Sequence, residues 1–189
     1  WDIVVNPASS SVTIDDIADV VYDASVEVTY AVENETTVTV VVKDAEGTEI
    51  TTGVNTTTDG KVIITGLNAG EYTITVSNAA EGNYSESSDE ATFKVLKDAI
   101  TIDPEATGDF VVDGVVNITF TVPTDITGYL DITIDGEPVL AFLVVNGTVT
   151  ISDTYDVGSH NVVVTLTGDT NYEDATGSTT FDIGKANPT

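Results

Sequence analysis

The stretch GEYTITVSNAAEGNYSESSDEATFKVLK, Gly70 to Lys97, returns 88 residues later as GSHNVVVTLTGDTNYEDATGSTTFDIGK, Gly158 to Lys185. In the first copy Tyr72, Ile74 and Val76 alternate with polar residues, the period of a half-buried strand. The same offset joins Thr13, Ile14 and Asp15 to Thr101, Ile102 and Asp103, and Tyr84, Phe93 and Lys97 to Tyr172, Phe181 and Lys185. Between these anchors the offset drifts to 90, so that Asp23, Val28, Tyr30 and Val32 match Asp113, Ile118, Phe120 and Val122. Small insertions of this kind fall in loops.

The alternation extends through both copies. Val26, Val28, Tyr30 and Val32 form one face of a strand, Val62 and Ile64 mark a second, and Val116, Ile118, Phe120 and Val122 mark a third. Turn signals separate them: AEGT, TDGK, NAGE, DGEP and VNGT. The segment IDDIADVVYD also fits helical spacing, but its counterpart IDPEATGDFVVD holds Pro104 and Gly108, which suit a helix interior poorly. Both segments are expected to be a short strand, a loop and a strand entry.

Two copies of about ninety residues, each with roughly seven short strands, predict an all-β chain of two tandem immunoglobulin-like β-sandwich domains. Alternating strands need a second sheet to cover their apolar face. The expected divisions are residues 1–97 for the first domain, 98–186 for the second, and 187–189 as the start of a further repeat. Few residues separate the copies, which predicts a stiff pair, and the sequence reads as a slice of a tandem array.

Composition narrows the function. The 189 residues carry 32 Asp and Glu against five Lys and Arg, a formal charge of −27. So few cations cannot build a phosphate-binding patch, so no nucleic-acid partner is expected. The same sign argues against anionic membrane surfaces, and no apolar run is long enough to span a bilayer. High like charge predicts a monomer. The chain has no cysteine, which removes disulfides, thiolate metal sites and cysteine nucleophiles.

The repeated pattern G-x-[YH]-x-[IV]-x-[VL]…N-Y…[ST]-x-x-F-x-[IV]-x-K resembles the bacterial and archaeal Ig-like (Big) repeats of adhesin-like surface proteins, most closely those of methanogenic archaea. The resemblance covers the second half of each copy well and the first half weakly. It implies an extracellular, cell-surface location with the anchor outside these residues. It also implies tandem repeats and attachment to other microbial cells, or to a surface glycan or protein. Neighbouring Ig-like repeats of the same chain would be further partners. It supplies no catalytic residue. A passive stalk or a carbohydrate-binding module are the alternatives, and no enzyme activity is expected.

Several residues invite a functional reading. His160, the only histidine, falls on Tyr72 of the first copy. In Ig-like domains a tyrosine at this corner bonds back to the preceding backbone, and an imidazole nitrogen can donate in the same direction. Tyr72 and His160 are therefore expected to be structural corners. A corner needing a neutral imidazole would make the second copy acid-sensitive. Asn83-Tyr84 and Asn171-Tyr172 are expected to be framework, with tyrosine packed under a loop and asparagine in its turn.

Acidic residues also recur: Asp15, Asp19 and Asp23 return as Asp103, Asp109 and Asp113. An Ig-like topology would carry the first three to the pole where the chain leaves the first copy, facing Asp98, Asp125 and Asp169 of the second. Oxygen-only ligands suit calcium, although no EF-hand motif is present and a solvated acidic surface is the plainer reading. No other cofactor is expected. Five acceptor patterns for N-glycosylation occur, at Asn34, Asn55, Asn83, Asn117 and Asn146.

Overall fold

The structure, a computed structural model, describes residues 3–33 and 37–186. Asn34 and residues 187–189, the expected start of a further repeat, lie outside them. The described residues contain strands and turns and no helix. The chain divides into two compact units, Trp1–Lys97 and Asp98–Thr189.

The first unit holds β1 (Val12–Ile14), β2 (Val20–Val21), β3 (Val26–Val32), β4 (Val38–Asp44), β5 (Glu49–Ile50), β6 (Val54–Thr56), β7 (Lys61–Ile64), β8 (Gly70–Asn78) and β9 (Ser87–Leu96). They form two sheets, ordered β1-β3-β7-β6 and β2-β9-β8-β4-β5. The second unit holds β10 (Glu105–Gly108), β11 (Val115–Thr121), β12 (Tyr129–Ile134), β13 (Glu137–Pro138), β14 (Leu143–Val145), β15 (Thr148–Thr154), β16 (Gly158–Thr167) and β17 (Ala175–Ile183). Its sheets run β10-β11-β15-β14 and β13-β12-β16-β17. The two units share one strand plan, and that plan is the immunoglobulin-like sandwich.

The alternating residues meet inside each sandwich. Val26, Val28, Val62, Ile64, Ile74 and Val76 are buried in the first unit, and Val116, Ile118, Val149, Val162, Val164 and Leu166 in the second. Each such side chain contributes about 1.5–3 kcal/mol on leaving water. The stretch with helical spacing does not form a helix. It starts as β1 in one sheet and crosses to the other as β2, which pairs parallel with β9 through Val20–Val95 and Val21–Leu96. The second unit repeats the crossing with β10 and a parallel bridge from Val111 to Gly184.

Turn chemistry accounts for one recurring acidic pair. Asp23 and Asp113 sit at φ of 68° and 67°, in the left-handed region that Asp tolerates better than most residues. Asp135-Gly136 and Asn146-Gly147 take positive φ at both positions, as two-residue hairpin loops of type I′ require.

Candidate functional site

Two features of each unit bring side chains together: the corner at the start of the second-last strand and the Asn-Tyr loop after it. At the first corner the Tyr72 hydroxyl donates to the Asn68 carbonyl at 2.9 Å, and its ring stacks on Phe93 with centroids 5.5 Å apart. Burial pushes the Tyr72 hydroxyl pKa up, and the nearby carboxylates of Asp44 and Glu46 add to the shift.

At the second corner His160 stands against the equivalent partners. Its Nε2 lies 2.8 Å from the carbonyl of Asp156, four residues back as Asn68 is from Tyr72, and its ring stacks on Phe181 at 5.3 Å. It also does something Tyr72 does not. Its Nδ1 lies 2.7 Å from Oδ2 of Asp135, whose Oδ1 accepts the Asn161 backbone N–H at 2.8 Å. Both ring nitrogens face acceptors, so the doubly protonated ring is the form that donates to both. The Asp156 carbonyl first, and the Asp135 carboxylate second, hold the His160 pKa above its ordinary value. The Asn161 N–H and then His160 hold Asp135 below its own. The expected acid sensitivity is thus reversed: protonation strengthens this corner.

The Asn-Tyr loops share a clip on the entering chain. In the first unit the Ala8 N–H donates to the Asn83 carbonyl and the Ser85 N–H to the Ala8 carbonyl. In the second the Asp98 N–H donates to the Asn171 carbonyl and the Glu173 N–H to the Asp98 carbonyl. The loops then diverge. In the first, the Tyr84 N–H donates to the backbone carbonyl of Glu81, and Tyr84 remains 38% exposed. In the second, Asp169 stands where Glu81 stood and is 2% exposed.

The Asp169 carboxylate accepts backbone N–H groups of Thr127 (2.6 Å), Gly128 (2.8 Å), Asn171 (2.8 Å) and Tyr172 (3.0 Å). Burial pushes its pKa up, but these N–H donors outweigh burial and hold it below the ordinary carboxylate value. Tyr172 is 8% exposed and its hydroxyl donates to Asp125 at 2.9 Å.

The residues considered for calcium make contacts within their own units. Asp169 and Asp125 accept hydrogen bonds inside the second unit, and Asp98 forms the clip through its backbone. In the first unit Asp19 accepts the Lys94 N–H at 3.0 Å, Asp15 donates its backbone N–H to Thr29, and Asp23 is a turn residue. Among the described residues, no three of His, Cys, Asp and Glu group to hold a metal ion. Of the recurring acidic pairs, Asp23 and Asp113 are turn residues at positive φ.

Of the acceptor asparagines, Asn55 on β6, Asn83 in its loop and Asn146 in its hairpin are exposed. Asn117 is half-buried and accepts the Ser152 hydroxyl at 2.6 Å.

No family model matches the chain, and no curated protein matches it. Among solved structures, a three-domain Ig segment of titin aligns at 11% identity and a TM-score of 0.37, over 92% of this chain and 66% of that one. Fibronectin(III)-like modules of Clostridium thermocellum CbhA align at 19% identity and a TM-score of 0.31, over 92% and 94%. The BSP domain of a biofilm associated protein aligns at 18% identity and 0.34, over 94% and 30%. At these scores the immunoglobulin-like character of the two units rests on their own strand order.

Proposed function

We propose that this chain is a stretch of tandem Ig-like repeats from an extracellular adhesin, similar to the archaeal Big-type repeats. The repeats carry or present a surface that attaches to other cells. The observation that supports this most is the repeated clip. Each unit fastens its entering chain to its own Asn-Tyr loop by the same pair of backbone bonds. The first unit's last strand ends at Leu96, and the second unit's clip begins at Asp98. A unit that begins and ends alike is suited to serial repetition. This reading assigns no enzymatic role, and the one histidine faces two acceptors at a corner.

Fluorescently labelled chain incubated with a panel of whole microbial cells tests the reading. Saturable attachment to one cell type supports adhesion. Attachment to none assigns the repeats to a passive stalk. Competition by a defined glycan would instead favour a carbohydrate-binding module.

A further inference from the structure

The second unit has an open strand edge that the first unit closes. In the first unit β6 lies along β7 with Val54 opposite Ile64 and Thr56 opposite Val62, and the bonds continue at both ends. The Thr57 N–H reaches the Lys61 carbonyl, and the Thr65 N–H reaches the Gly53 carbonyl at 3.0 Å. Gly53 makes that last contact possible. Its φ is +76°, and a Cβ there would stand 2.2 Å from the Thr65 carbonyl oxygen.

Counting from Glu49 and Glu137, the second copy has Ala141 at this position. There the chain leaves the edge early. β14 covers only Thr148 to Thr150 of β15, while β15 runs on to Thr154 paired with β11 alone. Residues Ile151 to Thr154 thus have no strand on their other side among the described residues. The Thr154 N–H is held at 2.8 Å by the side chain of its neighbour Asp153, a local bond that an incoming carbonyl can replace.

A groove of about 810 Å³ opens beside this edge. Val139, Leu140 and Ile151 give it apolar lining, and Asp113, Asp135, Glu137, Asp153 and Asp156 supply carboxylates; the one cationic group among the lining residues, His160, is already paired with Asp135. The apolar surface continues along the chain: Leu140 is 91% exposed and Leu143 64%. The equivalent stretch of the first unit is polar, with Asn55 and Thr56.

We propose that this slot takes an extended, cationic polypeptide segment with alternating apolar residues as an added strand beside Ile151–Thr154. An unpaired edge offers backbone donors and acceptors to another chain. The carboxylates select basic side chains, and the apolar lining takes the residues between them. A second copy of this chain is disfavoured, because each copy carries a charge of −27 and would bring acid against acid. The inference does not depend on where the parent protein resides, so it stands or falls apart from the adhesin reading.

The test uses the whole 189-residue chain and a capped peptide of alternating Lys and Val. Amide exchange by NMR should slow at Ser152 and Thr154, whose backbone groups point away from β11, while Ile151 and Asp153 already pair with β11. Affinity should fall steeply between about 0.02 M and about 0.5 M salt. A peptide N-methylated at alternate residues, unable to complete the ladder, should bind at least about tenfold more weakly. The double variant Glu137→Gln, Asp153→Asn should weaken binding of the Lys-Val peptide at low salt. Equal binding of the N-methylated peptide, or of a Glu-Val peptide, would overturn the proposal. So would a concentration-dependent dimer that protects the same amides in the free chain, or protection by a neutral oligosaccharide without any by the peptide.

Discussion

The Asn-Tyr loop of the first unit turns on a backbone carbonyl, and that of the second turns on a buried carboxylate. The sequences differ at the first two residues of the motif, Glu81-Gly82-Asn83-Tyr84 against Asp169-Thr170-Asn171-Tyr172. An aspartate is short enough to fold back onto the N–H groups two and three residues ahead. The longer Glu81 side chain accepts the exposed Thr37 N–H at 3.4 Å. The Asp169 loop becomes a small polar core that also holds the Thr127-Gly128 turn, whereas the first loop turns at Gly82 with a φ of 59°. A repeat conserves its strand plan while redistributing what secures it.

The sharpest way to break this comparison is Asp169→Ala. It strands buried N–H groups of Asn171 and Tyr172, among others, so urea unfolding should show the second unit losing on the order of 3 kcal/mol or more. Glu81→Ala should stay within about 0.5 kcal/mol. The depressed Asp169 pKa adds a pH signature. Its contribution is present above the unfolded value of about 3.9 and is lost as pH falls through the lower folded value. Equal effects of the two alanine variants would erase the distinction between the loops.

The edge strands give the next effect. Gly53→Ala forces a Cβ toward the Thr65 carbonyl at positive φ, which should cost the first unit about 1–3 kcal/mol. It should also speed amide exchange at Thr65, so that the first unit acquires the open edge of the second.

The corners follow. Tyr72→Phe removes the hydroxyl that donates to Asn68 and should cost about 1 kcal/mol. At the other corner, thermal unfolding of the second unit should depend on pH. The stabilisation from the raised His160 pKa is fully present below the unfolded pKa of about 6.5 and fades as pH rises through the folded value. Because Asp135 is substantially exposed, solvent screening keeps the effect below that of Tyr72→Phe. His160→Tyr should abolish the pH dependence. Smallest of all is Lys94→Ala, which removes an exposed pair with Glu71 and should leave unfolding of the first unit nearly unchanged.

What the sequence made legible follows from what period and spacing report. Alternation at Val26, Val28, Ile74 and Val76 reports burial directly, and the repeat reports two units. The corner was legible because Tyr72 and its acceptor are four residues apart. The Asp135 partner of His160 was not, because it lies 25 residues away and only strand register brings it near. The role of Asp169 was obscured for a similar reason. Charge can be counted along a sequence, but the direction of the N–H groups of Thr127 and Gly128 cannot. The Asp-x-Asn-Tyr spacing was the available clue. The open edge had one too, the exchange of Gly53 for Ala141, but its meaning depends on how closely two backbones approach.

The parallel pairing that closes each sandwich has a mechanical consequence. In the first unit β2 runs alongside the last strand, β9, and the Tyr22 N–H extends the pairing to the Leu96 carbonyl at 2.8 Å. In the second, the Gly184 N–H donates to Phe110 and the Val112 N–H to Gly184. A pull on the two ends of a unit draws parallel neighbours in opposite directions along their length. Their transverse hydrogen bonds are then loaded in shear and must yield together, whereas a hairpin peeled from its tip yields one rung at a time. Two or three bonds at the parallel seam beside each last strand would therefore set the tension at which each repeat gives way.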